Sequence, residues 1–233
     1  MCGRYNIIPN ATWPREFSLS AGSAARIDTI KPNYNVCPSA DVPIVRYDPE
    51  SRQMELSLAY WGLVPFWSKQ RSIAYRMINA RAESVAEKPA YRESFRWRRC
   101  VIPANGFFEW KRSTGSGPKQ PYLFTLQAGT VFGFAGLWDC WKDPGDDGSL
   151  VSCTIMTTRA NSLMQDIHDR MPVILARENY SKWLDPVFRD PGVLLRPCSS
   201  KRMRVSAVST HVNNPRNNDT RCIQPLEGQG IHG

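Results

Sequence analysis

Val42-Pro-Ile-Val-Arg-Tyr47 and Met54-Glu-Leu-Ser-Leu-Ala-Tyr-Trp-Gly-Leu63, with Asp48-Pro-Glu-Ser-Arg-Gln53 between them, set the architecture of this chain. Both runs are rich in large apolar, β-branched or aromatic side chains and are bounded by residues that break extended structure, the pattern of strands. The same signature returns at Tyr122–Gln127, Val131–Leu137, Leu150–Thr158 and Val205–Val208. Helical signals are fewer and short. Pro89–Arg99 starts on proline and sets Arg92, Arg96 and Arg99 on one face with Tyr91 and Phe95 on another. Leu163 and Ile167 suggest a helical turn before His168, and Glu178–Leu184 is a third candidate. Lys111–Gln120 and Lys142–Ser149 read as loops between neighbouring strands. Strands spread along the whole chain with helices between some of them predict one α+β domain, a curved, mainly antiparallel β-sheet core, barrel-like, flanked by short helices. The domain is expected to span residues 1–225, and residues 226–233 to form a frayed tail with little to pack.

Composition agrees with a folded chain. Of 233 residues 42% are hydrophobic and 11% aromatic, enough for a substantial core. The first twenty residues lack the basic start and apolar run of a signal peptide, and no run of about 18 apolar residues occurs, so an intracellular protein with no membrane contact is expected. The seven cysteines at 2, 37, 100, 140, 153, 198 and 222 form no C-x-x-C pair and no short Cys/His ligand spacing. Neither a disulfide framework nor a zinc site is expected, and no metal or organic cofactor is called for. The net charge is +9. Between Trp67 and Arg99 nine basic residues face three acidic ones, which points to a polyanionic partner or to a solvated basic face.

Cys2 stands apart from the other cysteines by position. Its small side chain permits removal of Met1, which leaves an α-amine and a thiol on one residue. An α-amino group has a reference pKa of ~7.7–8.0, so a neutral fraction exists near pH 7. The amine attacks an aldehyde to give an imine, and the thiol then closes a five-membered thiazolidine on the same carbon. Gly3 permits close approach of the backbone to a ligand, and Arg4 suits a phosphate. An incidental cysteine near a terminus is the alternative that position alone leaves open.

Four further segments supply context: Tyr34-Asn35-Val36-Cys37-Pro38, Ile78-Asn79-Ala80-Arg81-Ala82-Glu83, Gly106-Phe107-Phe108-Glu109-Trp110 and Ile167-His168-Asp169-Arg170-Met171-Pro172. With Met-Cys-Gly-Arg at the start, the chain from Met1 to about Pro225 resembles the SOS-response-associated peptidase (SRAP) family, the abasic-site processing proteins of bacteria and eukaryotes. The resemblance implies a single SRAP-type domain in which Cys2 forms a thiazolidine with the opened sugar of an abasic site in single-stranded DNA, protecting the lesion as a DNA–protein crosslink. It further implies that Asn79 hydrogen-bonds at the reacting centre, that Glu109 moves protons at the amine and sugar, and that His168 opens the closed sugar. Arg4, Arg81 and Arg170 match phosphate-gripping positions, Thr157 a hydroxyl contact, and Trp67, Trp110 and Pro38 residues that stack on or wedge against bases. Cys37 departs from the alanine common in the family. Reversal of the crosslink and a slow β-elimination of the strand, a weak lyase activity, would use the same groups.

Two other readings stand beside this one. A thiol peptidase, acting on peptides in general or only on its own leader, would use Cys2 with a histidine or glutamate. A non-covalent reader of modified or single-stranded DNA would use the basic and tryptophan residues and leave Cys2 incidental. The expected partner is abasic single-stranded DNA, and the expected state a monomer.

Overall fold

The computed structural model describes residues 2–111, 118–145 and 147–231. Its strands in chain order are β1 (Tyr5–Ile7), β2 (Asn33–Val36), β3 (Asp41–Asp48), β4 (Gln53–Trp61), β5 (Asn79–Arg81), β6 (Arg99–Ala104), β7 (Gly106–Lys111), β8 (Gln120–Leu126), β9 (Phe132–Lys142), β10 (Ser149–Arg159), β11 (Arg170–Pro172), β12 (Ile174–Leu175), β13 (Met203–Val208) and β14 (Pro225–Ile231). The α-helices are short: α1 (Trp13–Glu16), α2 (Ala21–Ala24), α3 (Arg92–Trp97) and α4 (Tyr180–Leu184). One sheet has the order β14-β13-β8-β7-β1-β2 and curls as a half-barrel. The other runs β11-β10-β4-β3-β6-β9-β12, and because β9 also pairs with β10, its five strands β10, β4, β3, β6 and β9 close into a barrel. The architecture is the single α+β domain, built on curved and mainly antiparallel sheets, that the strand pattern predicts.

Aromatic side chains from both sheets meet between them. Tyr5 and Phe107, from the half-barrel, contact Trp61 and Phe134 of the barrel, with Tyr5–Trp61 and Phe107–Phe134 ring centroids 5.2 and 6.1 Å apart. Such edge-on contacts add to the burial of large apolar area. Closure of the barrel depends on a small residue at Gly136, where a Cβ would stand 2.8 Å from Ile102 Cδ1 and 2.9 Å from Cys100 Sγ. Strand β10 is the axis for function. It pairs in parallel with β5, Ile155 opposite Asn79 and Thr157 opposite Arg81, and antiparallel with β11, Thr157 opposite Pro172. Three distant segments are thereby laid side by side.

The predicted strands all form, with one end or both extended by one to five residues, while the runs predicted to reach Leu63 and Gln127 stop at Trp61 and Leu126 and the run predicted from Val131 starts at Phe132. The loops at Lys111–Gln120 and Lys142–Ser149 join the paired strands β7–β8 and β9–β10, with residues 112–117 and 146 outside the described residues. Three expectations are corrected. The helix predicted over Pro89–Arg99 is confined to Arg92–Trp97. Arg99 consequently begins β6 and turns inward, where it is buried and donates to the carbonyls of Phe95, Arg96, Trp183 and Asp185; it leaves the exposed face and satisfies carbonyls that the short helices α3 and α4 leave open. The residues after Pro225 do not fray as a whole: through Ile231 they form β14, paired antiparallel with β13, because main-chain hydrogen bonding to an open sheet edge needs no apolar side chains. Residues 232–233 of that expected tail lie outside the described residues.

Candidate active site

The chain from Cys2 runs antiparallel to β7, Tyr5 opposite Phe107 and Asn6 opposite Gly106, with Phe108 N donating to Arg4 O at 2.9 Å. The same register carried back sets position 3 beside Glu109. Cys2 is fully buried, and its main-chain carbonyl accepts a 2.8 Å hydrogen bond from Asn79 Nδ2. Burial, then the nearby Glu109 carboxyl, push its thiol far above the ordinary cysteine range, so the sulfur is held as neutral thiol. Asn79 is itself fixed from behind, its carbonyl accepting from Tyr91 Oη at 3.2 Å, while its Oδ1 is buried and has no hydrogen-bond partner among the described residues.

Glu109 projects from β7 between Phe108 and Trp110 and is buried. Desolvation raises its carboxyl above the ordinary range, an effect partly opposed by neighbouring positive charge, including His168 in its protonated form. His168 follows a series of hydrogen-bonded turns from Asn161, and its main-chain N–H donates to Met164 O. Its Nδ1 lies 2.9 Å from Arg170 N and 3.1 Å from Asp169 Oδ1, contacts that fix the orientation of the ring. Glu109 and His168 line one cleft together with Arg4, Trp110, Lys119 and Asn213. Cys2 and Asn79 do not line it. The four residues read as catalytic are thus brought to one region by β1's lead-in, β5, β7 and the turn before β11.

The expected DNA contacts divide. Trp67 and Arg81 are exposed, and Pro38 and Trp110 are half-buried. Arg4 Nη1 donates to Asn35 Oδ1 (2.7 Å) and Val212 O (2.9 Å), and its guanidinium lies 5.6 Å from the Trp110 ring centroid. Arg170 is held by both oxygens of Glu83, at 2.7 and 2.9 Å, and by Thr157 O at 2.7 Å. Thr157 is a correction. It is fully buried, with its hydroxyl on Ala80 O at 3.3 Å, so it braces β10 against β5 and presents no exposed hydroxyl to DNA; Ser152–Thr158 are buried in succession, so alternation along β10 does not mark it.

A family model described as SOS response associated peptidase (SRAP) matches residues 1–215. The chain belongs to the SRAP family. It is 43% identical over 196 residues to the abasic site processing protein YoqW of Bacillus subtilis (strain 168), covering 83% of this chain and 86% of that one. It is 32% identical over 231 residues to the abasic site processing protein HMCES of Xenopus tropicalis, covering 85% of this chain and 68% of that protein. A solved structure from Bacteroides thetaiotaomicron superposes with a TM-score of 0.84 at 27% identity, covering 97% of this chain and all of that one.

This SRAP chain also contains residues at the site that sequence reasoning missed. Asn35 is buried and acts as a hub: Nδ2 donates to the carbonyls of Val212, Asn214 and Asn217 while Oδ1 receives Arg4. The segment it pins supplies Asn213, whose Oδ1 accepts from Trp110 Nε1 at 2.7 Å. That segment is closed on itself by His211, whose Nδ1 accepts from Asn217 Nδ2 (3.0 Å) and whose Nε2 donates to Asp219 Oδ2 (3.0 Å). Cys222 stands close enough that one ligand-type atom from each of His211, Asp219 and Cys222 lies within 4.8 Å, a grouping that sequence spacing does not announce. The repeated asparagines of Thr210–Asn218 were the available signal, since Asn is the side chain that ties loops to themselves.

Proposed function

We propose that this chain captures the aldehyde of an abasic site in single-stranded DNA on Cys2, after loss of Met1, as a thiazolidine. The observation that carries the reading is the union of Cys2, held through its carbonyl by Asn79, with a buried carboxyl of raised pKa at Glu109 and a histidine oriented through its Nδ1 at His168. His168 moves a proton between the hydroxyl and ring oxygens of the closed deoxyribose, which frees the aldehyde. The amine of Cys2 then attacks the aldehyde carbon. Glu109, kept protonated over a wider pH range by its burial, gives a proton to the departing hydroxyl, and one water is lost as the imine forms. The thiol adds to the imine carbon, its proton passing to nitrogen, and the ring closes. Reversal runs the same steps backward, and the imine acidifies the neighbouring carbon enough for slow strand cleavage. Names given to the relatives, abasic site processing proteins, support the substrate class.

A thiol peptidase requires a thiolate, and both burial and Glu109 act on Cys2 in the opposite direction. A reader without covalent chemistry leaves the Asn79–Cys2 contact and the buried Glu109 without a use. The two are separated from capture by incubating Met-processed protein with abasic single-stranded DNA and running a denaturing gel. Capture gives an adduct that is lost in Cys2→Ala and that Cys2→Ser retains only after borohydride trapping. Peptide turnover with no DNA adduct overturns the proposal.

A further inference from the structure

Two short helical turns in the segment that walls the cleft bring three side chains of metal-binding chemistry together. His211 belongs to the turn Thr210–Asn213, and Asp219 caps the turn Thr220–Cys222, its Oδ1 accepting from Arg221 N at 2.9 Å. Cys222 N donates to Asp219 O at 3.0 Å, so the second turn is of the tight three-residue kind that sets side chains i and i+3 on one side. Asp219 and Cys222 thereby face the same space as the His211 ring. One nitrogen, one oxygen and one sulfur from the three residues lie within 4.8 Å of one another, and His211 Nε2 stands 3.0 Å from Asp219 Oδ2.

A tetrahedral ion with nitrogen, oxygen and sulfur ligands at about 2.0–2.3 Å holds those atoms roughly 3.3–3.7 Å apart. The 3.0 Å contact and the 4.8 Å outer limit bracket that spacing, so small side-chain movements admit an ion. The donor set selects its class: thiolate with imidazole suits zinc, whereas magnesium and calcium take oxygen ligands. The site also has an inside and an outside. Cys222 is fully buried, while the Asp219 side chain is 39% exposed, which gives the ion a way in and leaves a position for water.

We propose that His211, Asp219 and Cys222 bind Zn2+, with water as the fourth ligand, and that the ion staples the segment from Thr210 to Cys222. On binding, the Cys222 thiol releases its proton to solvent, and the hydrogen on His211 Nε2 moves to Nδ1 so that Nε2 offers its lone pair. Nδ1 gives up its contact with Asn217 Nδ2, and Asn217 keeps its 2.7 Å bond to His211 O. Arg221 Nη2 leaves Asp219 Oδ2; its side chain is 67% exposed and has solvent to turn into. The effect reaches the cleft through contacts already in place. Val212 O, beside His211, accepts from Arg4, Asn213 Oδ1 accepts from Trp110 Nε1, and Asn35 ties Asn217 O to Arg4. Arg4, Trp110 and Asn213 line the cleft with Glu109 and His168. The ion stiffens that wall and takes no part in the chemistry of Cys2, so the site stands or falls independently of the capture reading.

The test is dialysis of the chelator-treated, Met-processed full chain against micromolar Zn2+ with a count of bound metal, and a parallel titration with Co2+, whose thiolate absorption reports a sulfur ligand. One zinc per chain is expected. His211→Ala and Cys222→Ser should each weaken binding at least about tenfold, since even the hydrogen-bond partners of metal ligands are worth that much. Cys2→Ala controls for chelation by the terminal amine and thiol and is expected to keep the zinc. Zinc should also slow hydrogen exchange in residues 209–222 of the wild type and leave His211→Ala unchanged. Where thermal melts show that Cys222→Ser fails to fold, His211→Ala and Asp219→Asn, at partly exposed positions, carry the comparison. No bound zinc, full binding in His211→Ala, or binding lost only in Cys2→Ala overturns the site. Zinc that binds through His211 and leaves exchange unchanged overturns the staple.

Discussion

Asn79 joins two features in one side chain: its amide nitrogen fixes the carbonyl of Cys2, and its buried oxygen has no hydrogen-bond partner among the described residues, which in the proposed mechanism leaves it to receive a hydrogen from the reacting centre. Asn79→Ala removes both, and adduct formation on abasic DNA is expected to slow roughly ten- to a hundredfold in single-turnover kinetics, the cost of one or two buried hydrogen bonds. Glu109 has a raised carboxyl in the folded state, so the stability linked to its protonated form is complete below its unfolded pKa and is lost as pH rises through the folded value. Glu109→Gln should therefore melt above the wild type at pH 8 and converge with it at pH 4, while adduct formation falls at both. Cys2 was singled out by position and chemistry, and Asn79, Glu109 and His168 by the motifs that carry the family resemblance; what the fold adds is that the four come to one region. Asn35 was not, although it sits in a quoted motif, because one of its partners, Asn217, lies 182 positions away and only the folded sheets bring them together. Thr157 was misread for a related reason: a hydroxyl in a strand faces DNA or core according to register, and register is a property of the partner strand.

The segment Ser209–Cys222 is an element without regular strands that nevertheless walls the cleft through Asn213 and holds Arg4 through Val212 O. Asn35→Ala leaves three carbonyls and a guanidinium without their buried partner and is expected to cost about 1–3 kcal/mol in urea unfolding, with loss of hydrogen-exchange protection concentrated in residues 209–222. In the barrel, Gly136→Val forces a side chain against Ile102 and Cys100, and a destabilisation of about 1–3 kcal/mol or a failure to fold is expected, read by the same unfolding measurement. The long strands were legible because alternation and β-rich composition extend over six or more residues. β5 and β11 were not. Each has three residues and exists because β10 offers its main chain on both sides, so nothing in their own composition marks them. The helix over Pro89–Arg99 was predicted too long because arginine spacing continues past the point where Arg99 is drawn inward to cap carbonyls.

Across the whole molecule, two sheets packed on an aromatic layer bring residues 2, 79, 109 and 168 to one region, with a net charge of +9 over the chain. Charge and chemistry act at different stages. Salt should weaken the encounter with DNA in proportion to the phosphates contacted, yet leave a completed crosslink unchanged, which a salt titration before and after adduct formation will distinguish. The central claim is the bond to Cys2, and it is tested most directly by the intact mass of the Met-processed protein after incubation with an abasic single strand and no reductant. Capture as a thiazolidine predicts a denaturation-stable species whose mass is the sum of protein and DNA less one water, absent from Cys2→Ala. A wild-type protein that yields no such species, or a Cys2→Ala variant that yields it equally well, would contradict the account.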